Sequence, residues 1–316
     1  MSNVIKKAVS KMAFKHNDFL GIGDLSKDDI LTVLDLAEYY VTQNRRKSQT
    51  TALLKGLVLV NLFLENSTRT RLSFEMAAKR LGADVLNMTG EESSLKKGES
   101  FADTLKAINA MLPDVLVIRH AEENSARQAA DILDCPVING GDGTGEHPTQ
   151  AMLDALTLRR HFGKLEGLNV AICGDILHSR VAHSNGYLLK KMGANVHFIG
   201  PPELLPDNLA QASTDMDTGL KGMDAVMVLR IQKERLQKKL SFTEADYFKA
   251  YGLTAERLKK ASPNAVVMHP GPMNRGVEID ASVADDPTLS LITTQVEMGV
   301  AVRMACLDLL TRNKRQ

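Results

Sequence analysis

Tryptophan is absent from the 316 residues and aromatics make up only 4% of them, which leaves few platforms for stacking on nucleic-acid bases. Excess positive charge is missing too. The 39 Lys and Arg side chains face 38 Asp and Glu, so little would be gained from releasing phosphate counterions, and nucleic acid is not an expected partner. Cysteine is scarce: Cys135, Cys173 and Cys306 are widely separated, with no Cys-x-x-Cys pair. That pattern suggests neither a disulfide framework nor a zinc site, and it fits a reducing cytoplasm. No apolar run approaches the roughly 20 residues needed to cross a bilayer, so no membrane is expected. The first sixteen residues carry Lys6, Lys7, Lys11 and Lys15 and no acid. They also lack arginine and a long apolar run, and read as a basic arm rather than a targeting peptide. His178, His183, Cys173 and Asp175 lie close together, but their spacing matches no zinc pattern, so no metal is expected.

What is present is the balance of a soluble globular chain, 44% apolar and 24% charged. The length favours two domains of about 150 residues each. Ser26 followed by Asp29 forms a capping-box pattern, and the apolar residues from Ile30 to Ala37 recur at helical spacing. After Gly56, the run Leu57 to Leu64 is apolar almost throughout, as expected of a strand covered on both faces. Helical stretches and short apolar runs then alternate. A helix starts near Thr68, followed by strand Val85 to Met88, helix Phe101 to Met111, strand Val115 to Arg119, helix Glu123 to Leu133 and strand Val137 to Asn139. This cadence predicts α/β architecture, with two doubly wound domains, each a mainly parallel sheet flanked by helices.

A helix over His147 to Phe162 carries the expected boundary, giving domains 1–150 and 151–293. The second domain is expected to hold strands Leu168 to Gly174, Val196 to Ile199, Ala225 to Leu229 and Ala265 to Met268. A last helix near 294–316 is expected to return to the first domain, with Met298, Val302, Ala305 and Leu309 as its core side.

The stretch Ser67-Thr68-Arg69-Thr70-Arg71 falls where a strand gives way to a helix. Free N–H groups, the positive end of a helix dipole, hydroxyl donors and a bidentate guanidinium together suit a phosphate. Neither a P-loop nor a dinucleotide G-x-G-x-x-G is present, so NAD and nucleoside triphosphates are not implied. The competing reading is an ordinary capped helix beside surface arginines.

With its neighbours Phe63 to Asn66, this stretch resembles the carbamoyl-phosphate signature of the aspartate and ornithine carbamoyltransferases. Ser93 to Glu99 resembles the family's mobile loop, which reaches into the neighbouring subunit. Arg119-His120, His147-Pro148-Thr149-Gln150, Arg180, Arg230-Ile231-Gln232 and His269-Pro270-Gly271-Pro272 follow in the family's order along nearly the whole chain. The resemblance implies transfer of the carbamoyl group of carbamoyl phosphate to the amino group of aspartate, an early step of pyrimidine biosynthesis, without a cofactor. It also implies a homotrimer with shared sites, and leaves open association with regulatory or dihydroorotase-type chains.

By the same resemblance, Ser67, Thr68, Arg69, Thr70 and Ser93 hold phosphate, with Arg119 between phosphate and carbonyl. His147 donates to the carbonyl oxygen, Gln150 accepts from the carbamoyl amino group, and the carbonyls of Pro270 and Gly271 receive that group. Lys97, Arg180, Arg230 and Gln232 meet aspartate, whose two carboxylates call for planar cations. Residues 1–150 would then bind carbamoyl phosphate, and residues 151–293 aspartate. The loop has one residue fewer than in some relatives, which leaves Ser94 as an alternative to Ser93. Some relatives carry Leu where Gly271 stands and Arg directly after the second proline, so Arg275 receives no role. The ornithine branch resembles Asp-x-x-x-Ser-Met-Gly followed by His-Cys-Leu-Pro, and neither motif occurs here. A non-catalytic binding module would have lost one of Arg69, Arg119, His147, Gln150, Arg180 or Arg230, and all are present.

Overall fold

The computed structural model describes residues 14–46, 51–90, 98–207, 209, 211–232, 235 and 240–315. The chain divides into two compact units, Met1–Leu156 with Val296–Gln316, and Thr157–Gln295. Lys6, Lys7 and Lys11 of the basic arm lie outside the described residues.

In the first unit, helix α1 (Lys27–Arg45) opens on the expected capping box, with Ser26 and Asp29 satisfying each other's backbone N–H groups. It buries Ile30, Val33, Leu34, Ala37 and Tyr40, and the Tyr40 hydroxyl donates to Asp308 Oδ2 at 2.7 Å. Four strands follow, β1 (Val58–Phe63), β2 (Asp84–Thr89), β3 (Val115–His120) and β4 (Val137–Asp142), alternating with α2 (Thr68–Leu81), α3 (Phe101–Ala110) and α4 (Ser125–Ile132). All pairings are parallel, in the order β2-β1-β3-β4. Val115, Leu116, Val117 and Ile118 are fully buried, each side chain contributing about 1.5–3 kcal/mol by leaving water.

β4 runs three residues beyond the expected Asn139. Gly140 and Gly141 carry no hydrophobic signal, but the Asn139 side chain accepts from Gly141 N at 2.7 Å and donates to Asp142 Oδ1 at 2.9 Å, which extends the strand's end. Helix α5 (Pro148–Phe162) starts one residue after His147, whose carbonyl accepts from Gln150 N at 3.0 Å. Pro148 stands at the first helical position, where its missing N–H costs nothing.

The second unit holds β5 (Asn169–Cys173), β6 (Asn195–Ile199), β7 (Ala212–Ser213), β8 (Ala225–Val228) and β9 (Val266–Met268), all parallel, in the order β7-β6-β5-β8-β9. Its core gathers Ala171, Cys173, Ile199, Val226, Val228 and Val267. Helix α6 (Arg180–Lys191) and the two-residue edge strand β7 were not anticipated from the sequence. α6 begins with the polar residues Arg180, His183, Ser184 and Asn185, and its interior carries Gly186, so the apolar periodicity is weak there. The short helices α7 (Met216–Gly219), α8 (Glu244–Tyr251), α9 (Ala255–Leu258) and α10 (Ala281–Ala284) were not anticipated either, whereas α11 (Ile292–Leu310) is the expected last helix. Among the described residues, no helix is long and apolar enough to cross a membrane.

Candidate active site

In open parallel sheets, ligands bind beyond the carboxyl ends of the strands, where neighbouring crossovers lead in opposite directions. In the first unit that point lies between β1 and β3. Beyond β1 the chain turns into α2, whose N-cap Ser67 has an extended backbone and no side-chain capping bond, and whose first turn holds no acid. The positive helix end is therefore not neutralised by its own carboxylate. Thr68 and Arg69 are exposed there, while Thr70 is buried. Desolvation lowers the Arg69 pKa from the ordinary arginine value.

Arg119 stands beside Phe63 in the β1–β3 register. Its Nη2 donates to Glu65 Oε1 at 3.0 Å and its Nη1 to the Gly140 carbonyl at 3.3 Å. One guanidinium thus ties the ends of three strands. The buried His147 brings Nε2 to 3.4 Å from Thr70 Oγ1, which joins the start of α5 to that of α2. One turn into α5, the Gln150 Nε2 donates to the fully buried Asp154 at 2.9 Å. That bond fixes the amide's direction and sets Oε1 as its acceptor end. Ser93, Ser94 and Lys97 lie outside the described residues.

Arg303 escaped the sequence reading. It lies within α11 among apolar residues, 3% exposed, with Nη1 donating to Ser73 Oγ at 2.9 Å and Nη2 to Thr149 Oγ1 at 3.4 Å. Its guanidinium carbon sits 5.0 Å from the Phe74 ring centre. Burial draws its pKa down to about 10, so it keeps its charge at neutral pH. The visible signal was an arginine inside an apolar run, and its effect is to fasten α2 to α5.

In the second unit the corresponding point lies between β5 and β8. Gly174 ends β5 with φ +129°, and a Cβ there would stand 2.4 Å from the Leu229 carbonyl oxygen. Only glycine lets the two strand ends approach so closely. Asp175 follows, fully buried. Its Oδ1 accepts from His178 N at 3.1 Å and His178 Nδ1 at 2.9 Å, and its Oδ2 from Gln232 N at 3.0 Å. One carboxylate therefore binds the loop leading to Arg180 to the loop carrying Arg230 and Gln232. Arg180 opens α6, buried and capped by Ser179, while Arg230 is half-buried, its Nη1 donating to the Ile231 carbonyl at 3.4 Å.

Pro270 and Gly271 follow β9, the strand next to β8. Arg275 forms an exposed bidentate pair with Asp285 at 2.6 and 2.8 Å, a local surface contact. Replacing Asp175 with alanine should raise about tenfold the KM of the substrate bound by Arg180 and Arg230, which the resemblance makes aspartate, and cost about 1–3 kcal/mol of stability, because three accepted bonds are lost together. Steady-state kinetics alongside thermal melting test this. A lowered Tm with unchanged KM would reduce Asp175 to a fold residue.

Two α/β units, each gathering groups suited to anions beyond the carboxyl ends of its central strands, define the class as an α/β protein built to hold anionic ligands. Models of the aspartate/ornithine carbamoyltransferase carbamoyl-P binding domain and Asp/Orn binding domain match residues 17–160 and 166–310. The chain belongs to the aspartate/ornithine carbamoyltransferase family.

It is 57% identical over 307 residues to the aspartate carbamoyltransferase catalytic subunit of Rhodospirillum centenum, covering 96% of each chain. With the same-named protein of Granulibacter bethesdensis it shares 55% identity, covering 96% of this chain and 97% of that one. Aspartate transcarbamoylase from Trypanosoma cruzi, solved with carbamoyl aspartate and phosphate, superposes with a TM-score of 0.85 at 30% identity, covering 92% of this chain and 95% of that one. The catalytic subunit of M. jannaschii aspartate transcarbamoylase gives 0.82 at 34% identity, covering 94% and 99%.

Proposed function

We propose that this chain transfers the carbamoyl group of carbamoyl phosphate to the amino group of L-aspartate, giving N-carbamoyl-L-aspartate and phosphate, an early step of pyrimidine biosynthesis. The observation that carries this reading is the His147–Thr70 contact at the acid-free first turn of α2, with Arg119 tied to Glu65 just ahead of that helix. Relatives of the same name at 55–57% identity support the choice of aspartate.

Residues 1–150 are read as the carbamoyl-phosphate domain, with the last helix belonging to it, and residues 151–293 as the aspartate domain. Ser67, Thr68, Arg69, Thr70 and Ser93 hold the phosphate. The aspartate amine attacks the carbonyl carbon, forming the C–N bond, and electron density moves to the carbonyl oxygen, where Arg119 and His147 supply fixed donors. The C–O bond to phosphate then breaks, and the departing phosphate takes the amine proton. Gln150 Oε1 and the carbonyls of Pro270 and Gly271 accept from the carbamoyl amino group. Arg180, Arg230, Gln232 and Lys97 bind the aspartate carboxylates. No covalent intermediate on the enzyme is needed. Comparing carbamoylation of aspartate with that of ornithine tests the assignment, and turnover with ornithine alone would overturn it.

The same reading makes the enzyme a cytoplasmic homotrimer in which Lys97 serves the neighbouring subunit. The three buried free cysteines agree with a reducing compartment. Leu72 and Met76, four apart on α2, and Leu86 on edge strand β2 are 53%, 48% and 59% exposed, apolar surface that suits a contact between copies. Lys97→Ala and Arg69→Ala chains should each be nearly inactive alone, yet regain activity when mixed and reassembled. Independent assortment makes about one site in four fully wild type. Inactive mixed trimers would return Lys97 to its own subunit.

A further inference from the structure

The turn after β9 presents an unusual set of backbone groups. Pro270 and Pro272 have no N–H to offer. The N–H of Gly271 donates to His269 Nδ1 at 2.9 Å, and that of Asn274 donates to Glu278 Oε1. Met273 apart, the turn therefore has carbonyl oxygens rather than N–H groups to show a ligand, which suits a donor such as an amino group.

One carboxylate holds both ends of this turn. His269 is 2% exposed and Glu278 fully buried. Because His269 Nδ1 accepts from Gly271, its ring proton sits on Nε2 and is donated to Glu278 Oε1, 3.2 Å away. The same oxygen accepts from Asn274 N. The His269 backbone is held as well, donating to Gln295 Oε1 at 2.9 Å. Among the described residues, Glu278 Oε2 has no hydrogen-bond partner. Burying a carboxylate with one oxygen unsatisfied is costly, and a residue serving only to fill the core would be better apolar.

We propose that Glu278 is a positioning residue: through His269 and Asn274 it sets the Pro270 and Gly271 carbonyls to receive the amino group of carbamoyl phosphate. This inference rests on the function proposed above. Glu278 touches no substrate in this role, so its effect should be confined to recognition of that amino group.

Acetyl phosphate, in which a methyl replaces the amino group, isolates the effect. The wild-type enzyme should bind carbamoyl phosphate about tenfold or more tightly than acetyl phosphate, because the acceptors are left unpaired by the methyl. Glu278→Ala should lose most of that preference through weaker carbamoyl-phosphate binding, with acetyl-phosphate binding unchanged. Glu278→Gln retains an oxygen that accepts both bonds and should keep the preference. Glu278→Asp draws the carboxylate back by one methylene and should lose the preference as alanine does, which gives the same readout if the alanine variant does not accumulate.

Equal binding of both phosphates by wild type would overturn the reading of the turn as an amino-group receptor. A discriminating wild type with an equally discriminating, folded Glu278→Ala or Glu278→Asp would overturn the inference about Glu278 and leave the proposed function standing. Loss of preference in Glu278→Gln as large as in alanine would show that charge, rather than the two accepted bonds, matters, and would overturn it as stated.

Discussion

Alanine at Arg69 should lower turnover about 10²- to 10³-fold at saturating carbamoyl phosphate, with the melting temperature essentially unchanged. The side chain is exposed at the start of α2, so its removal leaves no cavity in the core. On the proposed function, what is lost is a charge-assisted donor to the phosphate, worth about 1.5–3 kcal/mol in a ground-state contact. Its effect is larger where the C–O bond breaks and negative charge gathers on the leaving group. Lysine at this position keeps the charge without the planar fork and should recover only part of the activity. Unchanged turnover in the alanine variant would remove Arg69 from the phosphate site.

His147→Ala should reduce kcat by roughly 10²-fold or more while changing the aspartate KM little, the signature of a donor used mainly as the carbonyl oxygen becomes negative. His147 is 4% exposed and precedes the first turn of α5. A modest fall in Tm is therefore expected, and kinetics belong well below it. A variant with a raised KM and an unchanged kcat would make His147 a binding residue only.

The parallel sheets were legible because their strands are short, almost wholly apolar runs separated by helical stretches, as Leu59–Phe63 and Val115–Ile118 illustrate. The turn proposed as a phosphate cradle stood out for a different reason. Ser67 to Thr70 combine the residue types an anion needs with a position where a strand yields to a helix, so local pattern and chemistry agree. Partners distant along the chain were not legible. Asp175 meets Gln232 57 residues later, and Arg303 meets Ser73 across 230, contacts to which no periodicity points. The direction of the Gln150 amide was hidden too, since Asp154 at i+4 reads equally well as a solvated acid until its complete burial is known. Helix α6 was missed because its inward face includes Arg180, Ser184 and Asn185, residues whose burial follows from tertiary partners rather than from their own polarity.

The first unit is assembled from both ends of the chain, with Asp308 receiving the Tyr40 hydroxyl and Arg303 reaching Ser73 and Thr149. On the ribosome those closing contacts are made by a segment that emerges only after Thr157–Gln295. Domains completed early in synthesis can fold while the rest is still being made, and here that opportunity falls to the internal segment Thr157–Gln295 rather than to the unit containing the N-terminus. The first unit closes its core only after the whole of the second has been made, so the order of maturation runs against the order of the sequence.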